Sequence, residues 1–570
     1  MATLITRTRG LVLMLWAACV DASAQSLADT HSQQSILQKQ REEAAQNQQL
    51  ANEPDVRLPR IAVPKSEFPG NESPCFPIRV IRLEGKEADA FQWLLTAAGK
   101  IQGRCLGTEG INVVLTRIQN ALVGAGYVTS RVVAAPQDLR TGVLSLVLIP
   151  GRIKSIRFAG PADQQTGTVS PMPFMFNALP SRAGNLLQLR DIEQGLENYK
   201  RVPTVEADIQ IIPGEQPGES DLQIAWRQTR AWRLNLALDD GGSRSTGRYQ
   251  GNLTVSVDNP LGLSDLFYAS ISNDLGGNGR TGPRGTRGHA LHYSLPFGYS
   301  LLTISANDSD YRQSVAGAFQ NYVYSGSSRN FDIRLARIVY RDAARKIGLS
   351  LRGYQRISNN FIDDTEVLVQ RRRMGGFELG VNLKEFIGNA TVTGNFAMKR
   401  GTGVFGTLAA PEEAFGEGTA RPRLINADAS LSLPFAMAGA RFDYQGSWRA
   451  QWNRSPLIPQ DRFAIGGRYT VRGFDGESSL SAERGWLLRN DVNWSPAGLS
   501  VQPYLGVDYA EVAGPSSVRL AGKHLAGAVL GLRGQWSVVQ FDLFAGAPIS
   551  KPDRLQTAAV AAGFNLSVQY

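Results

Sequence analysis

From about Arg230 to the end of the chain, apolar and polar residues alternate along one stretch after another. Trp232, Leu234, Leu236 and Leu238 alternate with Arg233, Asn235, Ala237 and Asp239, and Ile333 and Leu335 with Asp332 and Arg334. Val539, Phe541 and Leu543 repeat the pattern with Gln540 and Asp542. Such a strand has one apolar and one polar face, which suits a soluble sandwich or a transmembrane barrel. Segments of about ten residues, with no apolar run long enough for a spanning helix, favour the barrel. About 340 residues at roughly 20 per strand and connection predict about 16 strands. The chain closes on Phe564, Leu566, Val568 and Tyr570, alternating with Asn565, Ser567 and Gln569. An aromatic last residue belongs at a membrane interface.

Upstream the period changes. Ile78–Leu83 reads as a strand, Ala88–Ala98 as a helix, and Ile111–Leu122 as a second helix with Val114, Leu115, Ile118 and Leu122 on one face. Gly124 and Gly126 stop that helix, and Tyr127–Val133 and Val143–Ile149 are strands. A second module repeats the ending of the first: a helix over Leu189–Lys200, strands over Val205–Ile212 and Asp221–Trp226, and Pro213-Gly214 echoing Pro150-Gly151. The fold class is therefore mainly β, a large barrel preceded by two small α/β modules.

Residues 1–24 read as a secretory signal: Arg7 and Arg9, an apolar run from Leu11 to Val20, then Ala22-Ser23-Ala24. Cleavage between Ala24 and Gln25 follows; a lipoprotein signal built on Cys19 is the competing reading, with Trp16 where a leucine is usual. Ser26–Leu50 is a polar helix rich in Gln, Glu and Ala, too thin in apolar residues for a core. It is solvated, mobile or held in a polar cavity. Residues 53–74 carry Pro54, Pro59, Pro64, Pro69 and Pro74 and form an extended linker.

Composition narrows the function. The chain has 570 residues, 19% of them charged, with 59 Gly and a net charge of +10. Its basic residues are scattered and belong to no zinc finger or RNA-binding signature, so anionic lipid head groups fit better than nucleic acid. Cys75 and Cys105 are the two cysteines left after signal cleavage, and in an oxidising compartment they suggest a disulfide, with two buried free thiols as the alternative. Gly277–Gly282 matches the dinucleotide fingerprint, but Pro283-Arg284-Gly285 follows where a helix is needed, so a hairpin loop is the better reading. The four histidines are His31, His289, His292 and His524, and His289 and His292 would point to opposite faces of one strand. No Walker lysine motif or nucleophile elbow occurs. No enzyme activity, metal or cofactor is expected.

The most informative stretch is Phe463-Ala464-Ile465-Gly466-Gly467-Arg468-Tyr469-Thr470-Val471-Arg472-Gly473-Phe474, too rich in glycine and charge for a lipid-facing strand. A glycine-flanked Arg472 would sit on a loop able to fold into a polar interior, where it would need a carboxylate. An ordinary exposed loop arginine is the other reading.

Val471-Arg472-Gly473-Phe474 resembles the signature of the inward-folded loop in the outer-membrane superfamily that joins POTRA modules to a barrel. Its two-partner secretion transporters, the haemolysin and filamentous-adhesin secretion and activation family, are matched more closely. Asp258-Asn259-Pro260-Leu261-Gly262-Leu263-Ser264-Asp265 is similar to their early hairpin, and Tyr293-Ser294-Leu295-Pro296-Phe297-Gly298 to the strand end that follows. Arg489-Asn490-Asp491 resembles their arginine-asparagine-acid motif, Gly151-Arg152-Ile153 the exit of their first module, and Cys75 and Cys105 its paired cysteines.

The resemblance implies a 16-stranded barrel over residues 229–570 in the outer membrane of a Gram-negative bacterium, with an inward-folded loop near residues 466–484. It implies periplasmic POTRA modules over 75–152 and 153–228, and a helix over 25–52 that plugs the pore. It pairs Arg472 with Asp508, although Ala510 stands where the family's wall motif ends in glycine. The expected partner is one large β-helical exoprotein (an adhesin, a haemolysin or a contact-dependent toxin) exported without ATP. Outer-membrane lipid, lipopolysaccharide and the barrel-assembly machinery are further expected partners. The alternative within the superfamily is an assembly or insertion factor for outer-membrane proteins.

Overall fold

A computed structural model describes residues 36–37, 40, 54–58, 67–159, 174–276, 282–317 and 319–570. The expected signal with its Ala24–Gln25 junction, most of the segment 25–52 expected as a helix, part of the linker and residues 277–281 of the glycine loop lie outside the described residues.

In the first module Val143–Ile149 (VLSLVLI) is the central strand, with Leu144, Leu146 and Leu148 buried. Val80–Glu84 pairs with it in parallel and Arg131–Ala134 antiparallel. Val114, Ile118 and Leu122 recur every fourth residue and lay one buried stripe of the helix Thr108–Gly124 on this core. The helix starts at Thr108, ahead of its apolar periodicity, because its first donors find an acceptor far away in sequence. The Glu72 carboxylate accepts from the backbone N–H of Gly107, Glu109 and Gly110 at 2.8–3.0 Å. Desolvation raises the Glu72 carboxyl, and the three N–H groups bring it below its ordinary value.

Three sequence expectations shift here. The single strand expected over Ile78–Leu83 is split, Ile78 ending the short strand Phe76–Ile78 and Val80 beginning Val80–Glu84 in another sheet. Ala88–Ala98 is a 3₁₀ helix, burying Phe91, Leu94 and Ala98. The strand expected from Tyr127 begins at Arg131, because Gly126 at φ +99° turns the chain and Ser130 N–H closes a turn onto Tyr127 O. Cys75 and Cys105 form a disulfide with Cα atoms 5.2 Å apart, beside the short pair Phe76–Ile78 and Arg104–Leu106.

The second module centres on Glu219–Gln228, flanked by Arg152–Phe158 in parallel and Val205–Pro213 antiparallel. Ile192, Leu196 and Tyr199 of the helix Leu189–Lys200 pack on that sheet.

Among the described residues, sixteen long strands from Trp232–Asp239 to Ala561–Gln569 close a barrel, each antiparallel to its sequence neighbours. The two-residue strand Thr365–Glu366 folds back on the end of Arg345–Ile362. The last strand meets the first from Asn565↔Asp239 to Gln569↔Asn235, and Tyr570 lies against Trp232 with ring centroids 5.7 Å apart. In lipid every backbone N–H and C=O must be paired, and closure achieves this with no sheet edge. Leu236, Leu238, Leu505, Val507 and Leu530 stand exposed on the outside, as the alternation requires. The second module feeds the first strand, so the turns at 259–265, 298–299, 342–344 and 388–389 lie on the module side. The connection at 454–483 lies at the opposite mouth.

The bridge between Cys75 and Cys105 closes a loop with a sequence separation of 30. Replacing both cysteines by serine is expected to destabilise the first module by about 3–4 kcal/mol, the loop-closure value for that length. Circular dichroism melting of a fragment spanning 54–228 would show a lowered midpoint; an unchanged one would mean the bridge constrains nothing.

Candidate functional site: a loop folded into the barrel lumen

The connection between the strands Ala440–Asn453 and Arg484–Ser495 turns back into the barrel. A short hairpin, Phe463–Ile465 with Leu480–Ala482, gives the loop a stiff neck. Phe463, Ile465, Val471, Phe474, Leu480 and Ala482 pack against the wall residues Leu487, Ala510, Val512 and Leu525 in one apolar cluster. Ala510, where the family pattern has glycine, contributes its buried methyl to this cluster.

At the tip, Arg472 is 4% exposed and lies between two wall carboxylates. Its backbone N–H, Nε and Nη2 donate to Asp508 at 2.8, 2.8 and 2.7 Å. Its Nη1 and Nη2 donate to Asp491 at 3.1 and 2.5 Å. Only a guanidinium reaches two carboxylates with paired donors in one plane. Arg533 donates to Asp491 at 3.3 Å and covers the Tyr504 ring at 3.9 Å, while Arg489 stands 4.0 Å from Asp508. The three arginines and two aspartates thus share one network across neighbouring strands.

Glycines make the approach possible. A Cβ on Gly506 would lie 2.5 Å from Asp491 Oδ1 and 2.6 Å from Arg472 Nη2, and one on Gly527 would lie 1.9 Å from Arg472 O. Gly473, at φ +100°, runs against the backbone of Ala547. The Val471-Arg472-Gly473-Phe474 motif therefore has a separate task for each residue: two apolar anchors, a cation and a backbone contact. Arg468 extends the hold to the barrel seam, donating to Asp240 at 2.9 Å and to Phe564 O at 3.2 Å. Phe564 N–H also donates to Asp240, whereas Leu566 and Val568 pair with Leu238 and Leu236.

Ile36, Leu37 and Gln40 are helical, with Ile36 buried. Gln40 Nε2 donates to Ala464 O at 3.1 Å, at the neck of the loop. Ile36 and Gln40 line a cavity of about 230 Å³ together with Arg352, Glu378, Lys399, Asp428 and Arg449 of the barrel wall.

A second polar cluster joins the modules to the barrel. The backbone N–H groups of Val56 and Leu58 donate to Glu197 and Glu193 on the helix Leu189–Lys200. Arg341 at the barrel turn bonds Glu197 at 2.8 Å, Gln194 at 2.9 Å and Val56 O at 2.8 Å. Lys346 bonds both Glu197 and Asp55, and Arg57 covers Phe386 at 3.5 Å. Burial raises the Asp55 carboxyl, but Lys346, Lys384 and Arg57 outweigh it and hold it below its ordinary 3.8. The early hairpin belongs to the same joint. Asp258 takes a bidentate pair from Arg233 and a bond from Thr204, and Arg201 donates to Ser264 O and Ser294 O.

The structure thus brings together Val471, Arg472, Gly473, Phe474 and Asp508, and puts the disulfide in a separate module. Sequence reasoning missed Asp491 as the second carboxylate and Gly506 as the space between. The sequence carried only the parity, Arg489 and Asp491 on one strand and Gly506 and Asp508 on the next; the register that sets Asp491 against Gly506 and Arg489 against Asp508 belongs to the fold.

A closed barrel with a bonded inward loop and two POTRA-like modules defines an outer-membrane transporter of the POTRA–barrel class. The chain belongs to the haemolysin secretion/activation family ShlB/FhaC/HecB, whose model matches residues 218–534. The ShlB-type POTRA model matches 76–151 and a general POTRA model 152–213. It is 34% identical to the outer membrane transporter CdiB-2 of Burkholderia pseudomallei, covering 95% of this chain and 94% of that one. It is 24% identical to the hemolysin transporter protein ShlB of Serratia marcescens, covering 86% and 87%. The structure of CdiB from Acinetobacter baumannii superposes with a TM-score of 0.82 at 29% identity, covering 95% of this chain and 99% of that one. The protein is an outer-membrane transporter of two-partner secretion, with its POTRA modules in the periplasm.

Asp508 accepts three bonds from Arg472, one from its backbone, whereas Asp491 accepts two and keeps Arg533. Asp508→Ala is therefore expected to weaken loop anchoring by about 2–3 kcal/mol, less than the roughly 3–5 kcal/mol of a wholly unpaired buried charge because Asp491 still meets the guanidinium. Asp491→Ala should cost less. Trypsin cleavage at Arg468 and Arg472 in the refolded barrel would read this order; equal cleavage rates in the two variants would make the carboxylates equivalent.

Proposed function

We propose that this transporter captures one large, unfolded β-helical exoprotein in the periplasm and passes it through the lumen without ATP. Cargo is held first by strand addition. Val80–Glu84 and Val205–Pro213 are edge strands of their module sheets, and each carries an exposed apolar residue, Val80 and Ile212. An edge strand offers a row of backbone donors and acceptors that an extended chain of almost any sequence can pair with. Relatives named for haemolysin and for heme/hemopexin transport support a secreted protein as cargo.

The observation that carries the reading is the locked loop. Arg472 and its two aspartates fix a loop across the lumen while leaving a polar wall, which suits a conduit for extended polypeptide. The helix over 25–52 acts as the plug, and the Gln40 contact with the loop neck supports that role. Folding of the exoprotein outside the cell supplies the directionality.

The test is a secretion assay in a Gram-negative host expressing this chain with the large exoprotein encoded beside it. Cargo is expected in the medium with the wild-type chain and in the periplasm with Arg472→Ala, while the barrel stays folded and heat-modifiable. Cargo that stays in the periplasm with a folded wild-type barrel would favour the assembly-factor reading. Unchanged export by Arg472→Ala would remove the loop from the mechanism.

Deleting residues 25–52 is expected to raise single-channel conductance in planar bilayers several-fold, since a helix about 10–12 Å across leaves the lumen. Equal conductance would show that the segment does not occlude the pore.

A further inference from the structure

The segment 174–178 of the second module lies where that module meets the barrel. Phe174 N–H donates to Gly262 O at 2.8 Å. Asn177, 1% exposed, donates its Nδ2 to Leu263 O and Pro296 O at 2.5 and 3.1 Å, and its backbone carbonyl accepts from Gly298 N–H at 2.7 Å. Both barrel turns are module-side turns, so these bonds pin the segment at the rim of the barrel, below the strands Leu266–Asp274 and Gly285–Phe297.

Within the segment, Met175 and Ala178 turn into the module core and Asn177 into the joint. Phe174 and Phe176 turn to neither: they are 54% and 55% exposed, with their rings 5.6 Å apart. The turns that bind the segment carry further uncovered apolar groups. Leu261, beside Gly262, is 61% exposed, and Phe297, beside Gly298, is 56% exposed. Phe297 has the strand parity of Leu291, which stands exposed on the lipid side. Exposed aromatics continue round the module-side rim at Trp232, Tyr570, Trp494 and Trp536. Aromatic side chains at that level form the girdle by which a barrel meets the lipid–water boundary.

We propose that Phe174 and Phe176 insert into the periplasmic leaflet of the outer membrane, so that phospholipid holds the second module in addition to the barrel. The pair extends an apolar rim that already faces lipid, and this continuity favours a bilayer over cargo as its occupant. Cargo-binding edges use backbone groups, whereas in this segment Phe174 N–H and Asn177 C=O are bonded to barrel turns and the carbonyls of Met175 and Ala178 within the module. The inference concerns a surface outside the lumen, and its test does not depend on export.

The experiment uses the mature chain in phospholipid nanodiscs with its disulfide oxidised. A single added cysteine, Phe176→Cys, carries an environment-sensitive fluorophore; Val133→Cys, exposed on the first module, is the control. Roughly half of the emission at position 176 should be lost to a shallow nitroxide phospholipid, as for a group about 5–10 Å into the head-group boundary. Iodide should quench position 133 but not 176. Equal iodide quenching at both positions, or lipid protection that appears only with a cargo peptide, would overturn the proposal. Phe176→Trp keeps the aromatic ring and gives a second reading. Its emission beyond the wild-type signal should be blue-shifted and quenched by brominated phospholipid, and red emission quenched by iodide would equally overturn it.

Discussion

A barrel of sixteen strands encloses more width than its own inward side chains can fill, so its function turns on what occupies the lumen and how that occupant is fixed. Here the fixing element is one guanidinium. Arg472 is buried at the tip of a loop that carries little regular structure, and its charge is acceptable there because Asp508 and Asp491 meet it from two adjacent wall strands. The apolar cluster of Val471 and Phe474 with Ala510 and Leu525 gives the loop its adhesion, and the ion pairs give it its position. The lumen wall is shaped to suit: Gly506 and Gly527 leave room where any side chain would collide with Arg472 or its partners.

The same economy of contacts governs the joint between modules and membrane. Glu197 accepts from the Val56 backbone, Arg341 and Lys346 at once. One residue of the second module is thereby bonded to the linker and to the barrel turn together. Val56 belongs to the linker that precedes the first module, and Arg341 ends one of the wall strands. A displacement of the second module from the barrel breaks the bonds that hold the linker in the same movement. Buried pairs of this kind add little net stability when complete but are costly to leave half-broken, so the joint favours one docked geometry.

Much of this was legible in the sequence, and the parts that were not have a common cause. Alternation gave the barrel and its last strand because lipid and lumen impose opposite polarity on neighbouring residues. Arg472 stood out because its stretch holds too much glycine and charge for a lipid-facing strand, and the choice against an exposed loop arginine came with the family resemblance. Asp508 came only through family resemblance, and Asp491 was quoted in a motif without its partner, since register between strands is a tertiary property. The early hairpin was recognised as a pattern, but its task, receiving Arg201 and Asn177 from the second module, depends on a docking that no local periodicity encodes. The start of the helix at Thr108 was displaced for the same reason, its acceptor being Glu72, thirty-odd residues upstream.

These long-range contacts also explain why family motifs cluster where they do. Asp258–Asp265, Tyr293–Gly298 and Val471–Phe474 share no chemistry, yet each is a place where one part of the chain must meet another at a fixed distance. In the first two, the second module meets both backbone carbonyls and side chains, since Asp258 accepts from Thr204 and Ser294 Oγ from Arg201, while other side chains hold turn geometry: Asn259 and Ser264 adopt positive φ, and Asp265 accepts from Leu261 and Leu263 within the turn. In the third, the backbone N–H of Arg472 and its side chain bond one carboxylate together. A conservative change that keeps charge but not geometry, such as lysine for Arg472, retains the attraction and loses the second carboxylate's paired bonds. Placement, more than charge, is what the site requires of that residue.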